Sequence, residues 1–343
     1  MIKKDILLEA YMHMCEAKEM AVIYDANRNI CKYVHSTSRG HEAIQLAVGM
    51  QLKPYDYCSP YYRDESMLLG MGISPYELML QLLGKADDPF SGGRTYYAHP
   101  SLNRDEFPKI PHQSSATGMQ AIPTTGVAHG IAYKESQQLN NKGEYPVVVC
   151  SFGDGSVTEG EVAEAFQMAV LKQLPIIYLV QDNNWGISAS KEEMRAMDAY
   201  EYAAGFKGMK RMRLNGSDFV ESYKGIEEAI DYVRKNRKPI LVHAKVPLLG
   251  HHTSGVRKEW YRTNEDLAQH SKDDPTPLLR KLLENIGVTE QELTEIEKDA
   301  KYKIEQQFKQ AVESTDPLPE SVEDHIYAPS GATEEVGNRT PSG

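Results

Sequence analysis

The sequence predicts an α/β fold: a doubly wound, mostly parallel sheet flanked by helices, with helical N- and C-terminal extensions. Short β-branched apolar runs stop abruptly at clusters of Gly, Asp and Asn, and longer amphipathic stretches separate them. The runs are apolar throughout rather than alternating, which marks strands covered on both faces.

Residues 5–24 carry Ile6, Leu7, Tyr11, Met14, Met20 and Val22 at mixed helical spacing, predicting a largely covered N-terminal helix. A second helix is expected over 42–52, after Arg39-Gly40-His41. Pro54-Tyr55-Asp56-Tyr57 breaks it and leaves Arg63 near a loop-to-helix junction. From 85 to 120 the chain is rich in Gly, Pro, Ser, His and Arg without periodicity, and such a stretch is expected to line a cleft.

Residues 146–152 form an apolar β-branched run that stops at Gly153-Asp154-Gly155 and reads as a buried strand. Thr158-Glu159-Gly160-Glu161 has the pattern of a capping box. It opens a helix with Val162, Ala165, Phe166, Ala169 and Val170 toward the core. The run 175–180 then ends at Gln181-Asp182-Asn183-Asn184-Trp185-Gly186, completing a strand-helix-strand unit with a right-handed crossover. Beyond it the patterns predict a helix over 199–206, a strand over 210–214, a helix over 218–236, a strand over 239–245 and a C-terminal helix over 289–313. Residues 1–325 are read as one domain, and 326–343 as a polar, flexible tail or linker.

With 343 residues, 41% of them apolar, the chain can bury a substantial core. Lys and Arg total 38 against 49 Asp and Glu, a formal charge of −11, so no overall basic field exists to attract nucleic acid, which is not expected as a partner. Cys15, Cys31, Cys58 and Cys150 are scattered without a Cys-x-x-Cys pair, and a reducing cytoplasm is the expected location. Charged residues interrupt the N-terminus, and no apolar run reaches the roughly 18 residues a membrane helix needs, so no membrane partner is expected either.

In an open parallel sheet, ligands bind beyond the carboxyl ends of the strands, where Asp154 and Asn183 are predicted to lie. A carboxylate and a side-chain amide oxygen suit a small hard cation such as Mg²⁺, which keeps phosphate oxygens in its octahedron. Gly153 and Gly155 allow close approach to those phosphates, and helix amides just after Gly155 would add donors. A dinucleotide fingerprint is poorly matched, because Thr158 stands at its third glycine. No Gly-x-x-x-x-Gly-Lys-Ser/Thr loop is present.

Asp154 and Asn183 are 29 positions apart, and this spacing resembles the signature of the thiamine diphosphate-dependent enzymes. From about 5 to 325 the chain is similar to the alpha subunit of the decarboxylating component of 2-oxo acid dehydrogenase complexes. Asp182, Asn183 and Asn184 offer three oxygen-bearing side chains in a row. Aligning Trp185 with the family's aromatic implies Asp154, Asn183 and the Trp185 carbonyl as Mg²⁺ ligands. The same resemblance implies cofactor contacts from Tyr62, Arg63, Gly153, Asp154, Gly155, Ser156, Asn183, Trp185 and His252. Ser115 joins them, within a Ser114–Gln120 segment that aligns in two registers one residue apart. Arg63 would meet the diphosphate with its planar fork, and His252, in Gly250-His251-His252-Thr253-Ser254, takes the position of the active-site histidine.

Some members carry arginine where Gln181 and Leu248 stand, so phosphate neutralisation would lean on Mg²⁺ and Arg63. Thr253 replaces the regulatory serine of animal members, followed by Gly255 and Val256 rather than acidic residues, which argues against kinase control. By resemblance the cofactors are thiamine diphosphate and Mg²⁺, and the substrate is a 2-oxo acid. The partners are a beta subunit or fused beta domain, supplying a glutamate for the cofactor in a heterotetramer, and a lipoyl-bearing dihydrolipoyl acyltransferase. A branched-chain acid is expected first, from the His-His-Thr-Ser loop and the Asp-Asn-x-Trp variant. Pyruvate and acetoin are the alternatives, and a catalytically silent scaffold is the reading from another class.

Overall fold

Five strands, β1 (Tyr57–Ser59), β2 (Val148–Gly153), β3 (Ile176–Asp182), β4 (Lys210–Asn215) and β5 (Ile240–Lys245), form the central sheet of the computed structural model. It describes residues 2–112, 114–139 and 143–324. The strand order is β1-β2-β3-β5-β4, and every pairing is parallel. The predicted tail at 326–343 lies outside the described residues.

From β1 to β4 the chain moves across the sheet in one direction, then steps back to place β5 inside β4. Right-handed crossovers put the helix that leads into each forward-going strand on one face and the returning helix on the other. The two cores agree. Val148, Cys150, Phe152, Ile176, Tyr178 and Val180 pack with the Ala121–Ser136 and Gly160–Lys172 helices. The alternate residues Val149, Ile177, Leu179, Val242 and Ala244 pack with the Glu42–Gly49 and Phe219–Asn236 helices. The Lys4–Ala26 helix and the C-terminal Glu290–Glu313 helix join on this second face, where Tyr11 donates to Glu297 and Lys303 pairs with Glu16, both at 2.5 Å.

Several boundaries differ from expectation for identifiable reasons. The capping box at 158–161 does not form: Asp154–Thr158 is a 3-10 turn, and the Thr158 hydroxyl donates back to the Gly155 carbonyl at 2.9 Å. The following α-helix starts only at Gly160, without a side-chain cap, so no α-helical amides directly follow Gly155. The helix expected over 199–206 is a four-residue turn, Ala199–Tyr202, continued by a 3-10 segment, and the helix after His41 stops at Gly49. Ala121–Ser136 escaped the periodicity because its buried face is Ala121, Thr124, Thr125, Ala128 and Ile131, interrupted by Pro123, Gly126 and Gly130. Thr124 and Thr125 satisfy their hydroxyls on the carbonyls one turn back, which lets small polar residues serve as core. Pro75–Leu82, Asn264–Ser271, Pro275–Asn285 and the three-residue β1 were also not anticipated.

Candidate active site

The β2 and β3 strands run in register with Gly153 beside Gln181, so the residues that leave their carboxyl ends emerge side by side. A cavity of about 510 Å³ opens there. Its wall includes Tyr62, Ser115, Gly153, Asp154, Gly155, Ser156, Asn183, Trp185 and His252, nine of the ten predicted site residues. The irregular 85–120 segment supplies Tyr96, Ser115 and Thr117 to the rim, as a cleft-lining loop should.

Of the three consecutive oxygen-bearing side chains, only Asn183 reaches the cavity. Asp182 is committed elsewhere: Oδ2 pairs with His243 Nε2 at 2.8 Å and Oδ1 accepts from Arg195 at 2.7 Å, with Lys245 3.5 Å away. Burial alone would raise its pKa, but these partners hold it well below the usual carboxylate range. Asn184 takes a left-handed conformation, φ 68°, and accepts from Lys245. That bend lets the Trp185 N–H cap Asn183 Oδ1 at 3.0 Å.

Asp154 is buried, and burial together with the neighbouring Asp182 charge raises its carboxyl to about 7. Its Oδ2 lies 3.3 Å from Arg195 Nη1, within ion-pair range but off the line of a hydrogen bond, so both atoms lack a hydrogen-bond partner. Arg195 went unnoticed in the sequence because Lys191-Glu192-Glu193-Met194-Arg195 reads as an ordinary solvated charge run. Its side chain is buried behind the cavity wall, where it reaches both Asp154 and Asp182.

Arg63, the tenth predicted residue, does not line the cavity. It is 1% exposed, and its guanidinium donates to the carbonyls of His252 at 3.0 Å, Thr37 at 3.3 Å and His251 at 3.5 Å. Only Nε is left without a partner. In this structure Arg63 holds the histidine loop. His252 itself is buried against Tyr62, with ring centroids 6.0 Å apart, and its Nδ1 is unpartnered. Burial, then the Arg63 charge, lowers its pKa to about 3, so the ring is neutral near pH 7.

Gln181 turns inward. Its Nε2 donates to Asp64 Oδ1 at 2.7 Å and Ser151 Oγ at 2.9 Å, and its Oε1 accepts from His41 Nδ1 at 2.8 Å and Gln45 Nε2 at 2.9 Å. Leu248 is fully buried, and its carbonyl accepts from Arg262, whose guanidinium sits 5.5 Å from the Trp185 ring.

The unpaired buried atoms around this cavity, Asp154 Oδ2, His252 Nδ1 and the Tyr61 hydroxyl, call for a polar ligand. Among the described residues no group of three or more His, Cys, Asp or Glu forms a metal cage. One carboxylate with amide and carbonyl oxygens is instead the sparse oxygen set that Mg²⁺ shares with phosphate. Mg²⁺ and a diphosphate therefore fit the donors present.

Acid, amide and imidazole groups gathered beyond the strand ends of a doubly wound parallel sheet define an α/β enzyme that binds its ligand at the sheet edge. The chain matches the dehydrogenase E1 component family over residues 10–320, and it belongs to that family. It is 31% identical to the pyruvate dehydrogenase E1 component subunit alpha of Rickettsia bellii over 84% of this chain and 83% of that one. It is 28% identical to the 2-oxoisovalerate dehydrogenase subunit alpha of Bacillus subtilis over 84% and 85%. A mitochondrial 2-oxoisovalerate dehydrogenase subunit alpha of Arabidopsis thaliana is 26% identical, over 83% of this chain and 58% of the plant protein. The resemblance to 2-oxo acid dehydrogenase alpha subunits holds across the catalytic fold.

Proposed function

We propose that the chain is the alpha subunit of the thiamine diphosphate-dependent decarboxylating component of a 2-oxo acid dehydrogenase complex, working with a beta subunit or fused beta domain and passing its acyl group to a lipoyl-bearing acyltransferase. The observation that carries this reading is the convergence of Asp154, Asn183, Trp185 and His252 on one cavity at the carboxyl ends of β2 and β3.

Asp154, Asn183 and the Trp185 carbonyl would hold Mg²⁺, while Gly153, Gly155 and Ser156 leave room and donors for the diphosphate. Thiamine diphosphate, when bound, supplies the electron sink that lets CO₂ leave a 2-oxo acid. The chain's own residues do the positioning. Tyr62 packs against the His252 ring, and Arg63 grips the carbonyls of both histidines of the pair. His252 Nδ1, on a neutral ring and unpaired, is free to hydrogen-bond a ligand at the cavity wall.

A branched-chain 2-oxo acid is the substrate read from the Asp182-Asn183-Asn184-Trp185 and His251-His252-Thr253-Ser254 segments, supported by the 2-oxoisovalerate relatives. Pyruvate is the second reading, favoured by the Rickettsia relatives. Titration calorimetry with thiamine diphosphate and Mg²⁺, on the chain co-purified with its beta partner, tests the site. Heat that vanishes in Asp154→Ala supports it, and binding indifferent to that change refutes it. Decarboxylation rates on branched-chain acids, pyruvate and acetoin then decide the substrate.

A further inference from the structure

We infer that His41 is a positioning residue that turns the side-chain oxygen of Asn183, rather than its nitrogen, toward the cavity. This rests on the proposed role of Asn183 as a cation ligand.

Asparagine can ligate a cation only through Oδ1; rotated by half a turn, it presents an NH₂ group that repels one. A buried chain of hydrogen bonds makes the choice, and backbone groups fix its polarity at both ends. At one end Gln45 Nε2 faces the Arg63 carbonyl at 3.0 Å, and Gln45 Oε1 faces the Ser66 N–H at 3.1 Å. A carbonyl cannot donate and an amide N–H cannot accept, so Gln45 has one allowed orientation. Its Nε2 also donates to Gln181 Oε1 at 2.9 Å, which fixes the Gln181 amide in turn.

His41 Nδ1 meets that same oxygen at 2.8 Å and must therefore carry the hydrogen. At the other end the Trp185 N–H, a donor only, lies 3.0 Å from Asn183 Oδ1. That leaves Asn183 Nδ2 pointing at His41 Nε2, 3.2 Å away, so Nε2 is the acceptor. The assignments made from the two ends meet at one imidazole and agree on a single tautomer.

The clamp acts from both sides of the Asn183 amide, but unequally. A cation drawing on Oδ1 competes with the Trp185 N–H for that oxygen. It does not compete with His41, which keeps the nitrogen turned away. His41 reaches this place because Gly40 takes φ 98° beneath the Pro247 carbonyl, where a Cβ would come within 2.1 Å.

The test uses the chain co-purified with its beta partner and supplied with thiamine diphosphate, and it reads Mn²⁺ binding by electron paramagnetic resonance as a stand-in for Mg²⁺. His41→Leu should weaken Mn²⁺ binding roughly 10- to 100-fold, the usual cost of removing an outer-shell partner. His41→Gln keeps an acceptor for Asn183 and a donor for Gln181, and should stay within about threefold of wild type. In an Asn183→Asp background both oxygens are equivalent, so His41→Leu should cost less than about twofold. If His41→Leu does not fold, His41→Asn, too short to span both partners, replaces it with the same expected loss.

Unchanged binding in His41→Leu, or an equal loss in both backgrounds, overturns the positioning role and leaves the proposed function intact. Wild-type protein that takes up no Mn²⁺, or an affinity untouched by Asp154→Ala, removes the proposed function and this inference together.

Discussion

Arg195 Nη1 lies 3.3 Å from the Asp154 carboxylate, while its other terminal nitrogen donates to Asp182 at 2.7 Å. One guanidinium thus bridges two buried carboxylates and offsets part of their mutual repulsion, while the Asp182 charge still raises the Asp154 pKa. Arg195→Met should cost the ligand-free chain about 3 kcal/mol, the usual penalty for leaving a buried charge unpaired. Melting curves with and without Mg²⁺ check this, and the added cation should raise the midpoint of the variant more than that of wild type.

Arg63 donates to the carbonyls of Thr37, His251 and His252, the last of which also accepts from the Ser36 hydroxyl at 2.6 Å. Arg63→Met should speed amide hydrogen exchange through 250–256 and lower stability by about 2–4 kcal/mol, since buried acceptors lose a donor. Arg63→Lys should recover only part of this, because an ammonium cannot span three carbonyls. Removing the Arg63 charge should also raise the His252 pKa from its depressed position, as followed by histidine NMR.

Glu65 is buried beside Tyr97 and Ser38, and burial pushes its pKa from 4.5 to about 7. The fold favours the protonated acid, so this contribution is complete below pH 4.5 and is lost as pH rises through 7. Glu65→Gln has no such titration, and its amide can still bond both hydroxyls. Denaturant unfolding at several pH values should show wild type losing on the order of 3 kcal/mol relative to the variant across that window.

Gly40→Ala should be among the costliest single-methyl additions in the chain. The new Cβ would lie 2.1 Å from the Pro247 carbonyl on a backbone with φ 98°, and a loss of about 2–4 kcal/mol is expected from strain and overlap together. Thermal unfolding measures it.

The catalytic strands were legible because each is an uninterrupted apolar run with a polar stop, a pattern that survives without tertiary information. The cavity residues were legible through motif and resemblance, and nine of ten line one wall. Three things were hidden for different reasons. The Ala121–Ser136 helix buries Thr and Ala, which carry no apolar stripe. The Thr158–Glu161 pattern lost to a 3-10 turn that kept the Thr158 hydroxyl for Gly155. Arg195 and His41 act through partners remote in sequence: His41 is 142 positions from Asn183, and no local pattern signals such a contact.

The parallel register of β2 and β3 has a consequence for how this site can change over time. The 29 positions between Asp154 and Asn183 are merely the length of one crossover, and lengthening its loops would cost little closure entropy. A slip of one residue in β3 would instead exchange the faces of its side chains and bring Asp182 or Asn184 to the cavity in place of Asn183. Insertions in the connection should therefore be tolerated among descendants of this chain, whereas the pairing of Gly153 with Gln181 admits no drift.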